Sequence, residues 1–324
     1  MNMRTQLAQG KCMSTSLSQK ADSPNRRIWS SHVTELRRIE VDGQAITVER
    51  QSDALVAADG RAFQIDQAKH LAPALPTKII AVHLNYDSRT KEFLTKLPSA
   101  PTYFHKPITA LNAHRGDVVR PKRCKWLNYE GEIVIIIGKT CKDIAIDDAP
   151  HYIAGYAVGN DFGLHDFRDT DAGSMLRVKG ADSLAPVGPG MVTDWDFRNK
   201  MIRTYVNGVL KQEDNTDNME WNMHYLVADI ARTITLVPGD MIFSGTPANS
   251  RPVHVGDVVE VEVEGLGRLS NTIVEGHTIR AEVGAQPTES EEVISTALGG
   301  DWEFRGIRTP SKDLYPSTVT ENKL

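Results

Sequence analysis

The sequence predicts a mainly β fold with a few helices, and three observations lead there. Short stretches alternate apolar and polar residues, as in Ile46-Thr-Val-Glu-Arg50 and Val258-Val-Glu-Val-Glu-Val263; period two is the signature of strands with one face in a core. The run Ile133-Val-Ile-Ile-Ile137 lacks that alternation and reads as a strand buried on both faces. Asn207-Gly208, flanked by Arg203-Thr-Tyr-Val206 and Val209-Leu-Lys-Gln212, is the strongest short-range hairpin signal.

The elements follow in chain order. Residues 1–27 are polar and Ser/Gln-rich without an apolar h-region, so a disordered tail is expected rather than a signal peptide. Residues 28–76 read as a small β-rich N-terminal module with an Asp59-Gly60 turn, ending in the Pro-containing hinge Leu71-Ala-Pro-Ala-Leu-Pro76. A larger catalytic domain is expected over 77–280, opening with a strand in Lys78-Ile-Ile-Ala-Val-His-Leu84. Residues 87–96, with Ser88, Arg89, Thr90, Lys91 and Glu92 in sequence, cannot carry a core of their own and read as a surface helical turn or a mobile flap. Behind Asn222, a good N-cap, Met223, Leu226, Val227, Ile230, Ala231 and Ile234 recur at helical spacing and predict one substantial amphipathic helix. Gly239-Asp240 and Gly256-Asp257 are turns that precede strands. Glu260, Glu262 and Glu264 alternate with valines, so they face water and carry no chemistry. Residues 281–324 lack periodicity and form a C-terminal extension expected to wrap the domain or a partner subunit.

The 324 residues carry a formal net charge of -5, with 40% hydrophobic and 24% charged residues. That is an ordinary globular composition, with no electrostatic reason to expect nucleic acid or an anionic membrane as partner. No apolar run approaches the roughly 18 residues that span a bilayer. Cys12, Cys124 and Cys141 are odd in number and have no Cys-x-x-Cys spacing, which argues against a disulfide framework and suits a cytoplasmic setting.

The chemistry concentrates at Glu130 and Glu132. Positions two apart on a strand point the same way, so both carboxylates share one face at the mouth of the buried run. Two like charges losing hydration cost several kcal/mol per ion unless compensated, and a hard divalent cation is the natural compensation. A third carboxylate completes such a shell. Asp161, delivered by the apolar strand 153–158, is one candidate; Asp166, Asp169 and Asp171 lie close in sequence, and the residues alone leave that choice open.

Several segments, taken together, resemble the fumarylacetoacetate hydrolase family. They are Glu130-Gly-Glu132 on a buried strand, Asn160-Asp161, Lys179-Gly-Ala-Asp182 with Pro186-Val-Gly-Pro189, Val206-Asn-Gly208 with Gln212, Pro238-Gly-Asp240 with Ser244-Gly-Thr-Pro247, and Glu264-Gly-Leu-Gly-Arg-Leu-Ser-Asn-Thr-Ile273. The likeness runs from about Lys78 to Gly276 and looks closest to the homoprotocatechuate-pathway decarboxylases and 2-hydroxyhepta-2,4-diene-1,7-dioate isomerases. It implies a mixed β-roll holding Mg²⁺ or Mn²⁺ through Glu130, Glu132 and Asp161. The same likeness implies Lys179 near the substrate, Thr246 on its carboxylate, Gln212 closing the pocket, and a homodimer. Two departures matter. Many hydrolytic members carry His three residues after the Tyr of an Asn-Tyr pair and Glu three further on, where this chain has Arg89 and Glu92 after Asn85-Tyr86. An arginine cannot act as a base, although His83 or His105 is available as a substitute. The family's usual Arg four residues after the metal Asp is His165 here, with Arg168 and Arg177 as candidate replacements for carboxylate binding.

The expected activity is therefore decarboxylation or isomerisation of a 2-oxo or 2-hydroxy-dienoic dicarboxylic acid through a metal-stabilised enolate, in aromatic catabolism. Glu92 is the candidate proton carrier. An acylpyruvate-type hydrolase and a catalytically silent dimer that binds metal and 2-oxo acid are the alternatives.

Overall fold

The computed structural model describes residues 33–171 and 173–299. The tail expected over 1–27, Cys12, and the extension beyond 299 lie outside the described residues. Within them strands dominate. The N-terminal strands are β1 (Glu35–Val41), β2 (Gln44–Gln51), β3 (Ala54–Ala57), β4 (Ala62–Gln64) and β5 (Lys69–Leu71), and they enclose a small cluster of Ile39, Val48, Leu55 and Ala57. β1 is hydrogen-bonded to a later strand, with Glu35 opposite Val192 and Leu36 opposite Met191, so this segment extends the main sheet.

The larger part begins with β6 (Ile79–His83), α1 (Asp87–Glu92), β7 (Thr102–Lys106), β8 (Leu111–Ala113) and β9 (Asp117–Lys122). There follow β10 (Leu127–Asn128), β11 (Gly131–Ile137), β12 (Ile153–Asn160), β13 (Gly163–Leu164), α2 (Leu176–Lys179) and β14 (Ala185–Val192). The hairpin β15 (Met201–Val206) and β16 (Val209–Asn215) turns at Asn207-Gly208, both with positive φ, as the dipeptide predicts. α3 (Met223–Thr233) has Asn222 accepting from the Tyr225 N–H at its N-terminus. β17 (Met241–Phe243), β18 (Val258–Val263), β19 (Gly267–Thr278) and α4 (Glu291–Leu298) complete the chain.

The main sheet runs β4-β3-β2-β1-β14-β12-β11-β17-β6-β7, with β5 on β1 and β8 on β14; a second sheet runs β16-β15-β18-β19-β9. Both are mixed, since β17 pairs β6, β14 pairs β8 and β19 pairs β9 in parallel while the other ladders are antiparallel. This is the mixed β-roll expected. β11 lies between β12 and β17 and is covered on both faces, which accounts for its unbroken apolar run. Ile133, Ile135 and Ile137 pack with Met223, Val227 and Ile230 of α3 and with Val261 and Leu269 of the second sheet. Val134 and Ile136 face the other way, onto Ile79, Ala81, Ala157 and Phe243. On β18, Val259, Val261 and Val263 are buried and Glu260 and Glu262 half-exposed, as the alternation predicts. Cys124 and Cys141 are buried free thiols.

Candidate metal centre and active site

Antiparallel pairing of β11 with β12 sets Gly131 opposite Asn160 and Glu132 opposite Gly159, so the start of one strand meets the end of the other. Two bonds fix the corner: the Glu130 N–H donates to Asn160 Oδ1 at 2.8 Å, and the Asp161 N–H donates to the Glu130 carbonyl at 2.8 Å. Glu130, Glu132 and Asp161 are all buried, and each offers an oxygen within 4.8 Å of the others. Of the four aspartates left open, Asp161 is the one the fold brings to the two glutamates. Asp166 accepts the backbone N–H groups of Lys125 and Trp126, Asp169 accepts the Thr288 hydroxyl, and Asp171 holds Arg177.

Burial and the neighbouring charges of Asp161 and Glu130 push the Glu132 carboxyl well above its ordinary pKa, against the Gly245 N–H, 2.7 Å from Oε2, and Lys179, which favour its charge. Gly245 is required there: its φ is +96°, and a Cβ would lie 2.7 Å from Asn85 Cβ. A buried carboxylate with so little compensation, facing two more, is the donor set a hard divalent cation takes. The three residues fit a metal.

Two ammonium groups meet the triad. Lys179, at the end of α2, donates to Glu130 Oε2 at 2.6 Å and to the Asp161 carbonyl at 2.8 Å, and lies 3.0 Å from Asp161 Oδ2. Burial opposes its charge, yet Asp161 and Glu130 more than offset this and raise its pKa. Lys106 was missed by the sequence reading. At the end of β7 it is fully enclosed, paired with Asp161 Oδ1 and directed at the Phe162 and Leu184 carbonyls. Burial would raise the Asp161 carboxyl, but Lys106 and then Lys179 outweigh it and keep Asp161 ionised.

A pocket opens on the two glutamates of the triad, lined by Glu130, Glu132, Lys179, Arg89, Thr246, His83, His165, and by Val82, Leu84, Phe93, Phe104 and Met175. His165 is 2% exposed and neither ring nitrogen has a hydrogen-bond partner. Burial, with Lys179, Arg168 and Arg89 nearby, pulls its pKa well down. His83 is drawn down to about 3, by burial first and then by Arg168, Lys179 and Arg89. Both imidazoles are neutral. His105 is exposed on β7 and is not among the lining residues, so of the two substitute bases only His83 is brought to the site.

The remaining candidates divide. Thr246 lines the pocket, with its hydroxyl accepting from Gln212 Nε2 at 3.1 Å. Gln212 sits behind it, its amide spent on the Pro247 and Ala248 carbonyls and its Oε1 on the Gly131 N–H; it braces the turn and is not among the lining residues. Arg89 enters the site, 3.3 Å from Glu130 Oε1, stacked over Phe93 at 4.4 Å and bonded to Glu92 at 2.7 Å. Glu92 does not line the pocket. Burial pushes its carboxyl up, but Arg89 and Arg251 hold it below the ordinary range, and the Asn249 N–H also points at it. Arg177 is half-exposed on Asp171, and Arg168 reaches towards Glu292 and Met175, so neither is a lining residue. The segment 87–96 is a docked helical turn in which Arg89, Thr90 and Phe93 are buried.

A family model described as fumarylacetoacetate (FAA) hydrolase C-terminal matches residues 78–274, which contain every one of these groups. The chain belongs to the fumarylacetoacetate hydrolase family. It is 37% identical over 214 residues to a 4-hydroxyphenylacetate degradation bifunctional isomerase/decarboxylase of Escherichia coli, covering 64% of this chain and 50% of that one; the match thus spans half of that relative. Among solved structures it is similar to 5-carboxymethyl-2-hydroxymuconate delta-isomerase from Mycobacterium smegmatis, with 34% identity, a TM-score of 0.69, and coverage of 75% of this chain and 99% of that one. It is equally similar to 2-hydroxyhepta-2,4-diene-1,7-dioate isomerase from Mycobacterium marinum, with 33% identity, a TM-score of 0.69, and coverage of 75% and 98%. Among the described residues no helix is long and apolar enough to cross a membrane.

Proposed function

We propose that this member of the family is a divalent-metal-dependent decarboxylase or isomerase (tautomerase) acting on a 2-oxo or 2-hydroxy-dienoic dicarboxylic acid in aromatic catabolism, with Mg²⁺ or Mn²⁺ held by Glu130, Glu132 and Asp161. The names of the isomerase and isomerase/decarboxylase relatives support that class. The observation that carries it is the buried carboxylate triad met by Lys179, with permanently charged Arg89 beside Glu130. When bound, the metal supplies a Lewis acid at the substrate's 2-oxo oxygen.

Lys179 places an ammonium where negative charge collects as the substrate passes through its enolate, in a site walled largely by buried side chains. Thr246 offers a hydroxyl to the substrate carboxylate. His165, neutral and unpartnered, is available to a substrate oxygen in place of a fixed cation. In decarboxylation the bond to the departing carboxylate breaks, its electron pair becomes the enolate, CO₂ leaves, and a proton returns to carbon. In isomerisation a proton leaves one carbon and arrives at another. Neither reaction requires an activated water. Arg89 cannot generate one, and the pKa of about 3 at His83 makes it a feeble base. Acylpyruvate hydrolysis, through His83, is the second reading, because that imidazole does face the pocket.

The test is incubation with oxaloacetate and, separately, an acylpyruvate, each with Mg²⁺ and with a chelator, following enol absorbance and CO₂ release. CO₂ from oxaloacetate or enol turnover, abolished by the chelator and restored by Mg²⁺, is expected. Faster cleavage of the acylpyruvate to pyruvate and a carboxylic acid would turn the reading to hydrolysis. A homodimer and a cytoplasmic setting complete the proposal; equilibrium sedimentation of the purified chain checks the first.

A further inference from the structure

Residues 286–299 lie beyond the stretch the family model matches, yet they reach both ends of one ion pair in the pocket. At one end is Glu130. The chain just before it, Trp126 to Asn128, is the surface on which α4 sits: Val293, Ala297 and Leu298 are buried against Trp126, and the Asn128 amide donates to the Ala297 carbonyl at 2.8 Å. At the other end is Arg89, held by Glu92. Gly299, the residue that ends α4, packs so closely on Glu92 and Arg251 that a Cβ would lie 2.3 Å from Glu92 Oε1 and 2.7 Å from Arg251 Nη1. Its φ of 58° and ψ of -125° are a conformation that only glycine adopts with ease.

The segment is built to stay there. Ser290 caps α4 by accepting from the Val293 N–H at 3.2 Å, and the Thr288 N–H donates to the Asp166 carbonyl at 3.0 Å. α1 is also tied down through Ser88, which donates to Asp214, and through the Asn249 N–H, which donates to Glu92. Its side of the contact is the chain Arg251–Glu92–Arg89–Glu130, with separations of 2.6, 2.7 and 3.3 Å.

We infer that the segment 286–299 is a strap that positions the active site: through Gly299 it presses Glu92 between Arg251 and Arg89, and so fixes where the Arg89 guanidinium meets Glu130. Glu92 is a positioning residue and not a proton carrier. The consequence for metal affinity rests on Glu130 being a metal ligand; the mechanical coupling does not.

Hydrogen exchange and Mn²⁺ titration separate the two. In Val293→Ala, which thins the buried contact with Trp126 and touches no pocket residue, amide exchange should quicken over 290–298 and, together with it, at least about 10-fold over 87–94. Exchange that quickens over 290–298 but stays native over 87–94 overturns the strap. Gly299→Val should lower kcat/KM about 10-fold or more and weaken Mn²⁺ binding by a similar factor. Added to Glu92→Gln it should cause no further loss, because both variants release the same contact. Additive losses overturn the coupling. If the native chain binds no Mn²⁺, the metal reading fails while the exchange result still decides the strap.

Discussion

Lys106 and Lys179 reach the same aspartate from opposite sides, and their positions assign them different work. Lys179 lines the pocket; Lys106 is buried beside Asp161 and directs its hydrogen bonds at Asp161 and two carbonyls. Lys179→Met should therefore lower kcat on the order of 10²–10³-fold, as loss of a preorganised charge does, with the Mg²⁺-loaded protein keeping most of its denaturant midpoint. Lys106→Met should do the reverse to the balance. It takes one of two ammonium partners from buried Asp161, leaving Lys179 alone to compensate it, a loss of up to about 3–5 kcal/mol, seen as a large fall in midpoint. Equal midpoints for the two variants would show that the ammonium groups are interchangeable. Lys179 could be singled out because its motif carries a family likeness. Lys106 could not: in Tyr103-Phe-His-Lys-Pro107 nothing tells which residues turn inward until the parallel pairing of β6 with β17 places β7 at the sheet's end.

At the scale of elements, what the sequence made legible was whatever a local period or turn dictates. α3 begins behind Asn222 and packs Met223, Val227 and Ile230 on β11, as its spacing requires. Asn222→Ala removes the acceptor for the Tyr225 N–H and should lower stability by about 1 kcal/mol, read as a shifted urea midpoint with unchanged turnover; lost turnover would mean that α3 shapes the site more directly than its packing implies. α1 was only half legible. Its composition allows a mobile flap, but composition does not record that Asn85 bonds the Trp221 and Ser244 carbonyls at its base, or that Arg89 finds a carboxylate on either side. Those partners are far away in sequence, and they turn a polar segment into a docked helix. For the same reason Glu92 reads as a free acid in one dimension and as a clamped counter-ion in three. α4 was beyond local reading altogether, since its apolar face is short and its receptor, Trp126, lies in a different part of the chain.

Across the whole molecule, burial depresses the pKa of His70, His83, His114, His165 and His224, so the fold is built around neutral imidazoles and should weaken in acid. The clearest case lies where the N-terminal strands meet the rest of the chain. His70 of β5 and His114, just after β8, stack edge-on with centroids 4.9 Å apart. His114 Nδ1 accepts the Ser270 N–H at 3.1 Å, which requires that nitrogen unprotonated. Burial, then His70, Arg115 and Arg37, pull the His114 pKa down to about 3; His70 is lowered by burial and by Arg37 and Arg115, against the Ile65 carbonyl and Glu35. An unfolded histidine titrates near 6.5, so below that pH the unfolded chain binds a proton that the folded chain refuses. The contribution of His114 is thus complete above about pH 6.5 and is lost as pH falls towards 3, by at most about 1.4 kcal/mol per pH unit. Urea midpoints of the native chain and of His114→Gln, compared at pH 7.5, 6.0 and 5.0, isolate it. The native midpoint should fall more steeply below 6.5 than that of the variant, whose amide does not titrate. Parallel slopes would mean that Arg37 and Arg115 move aside to let the imidazole charge, and that the junction between β5 and β8 is softer than its packing indicates.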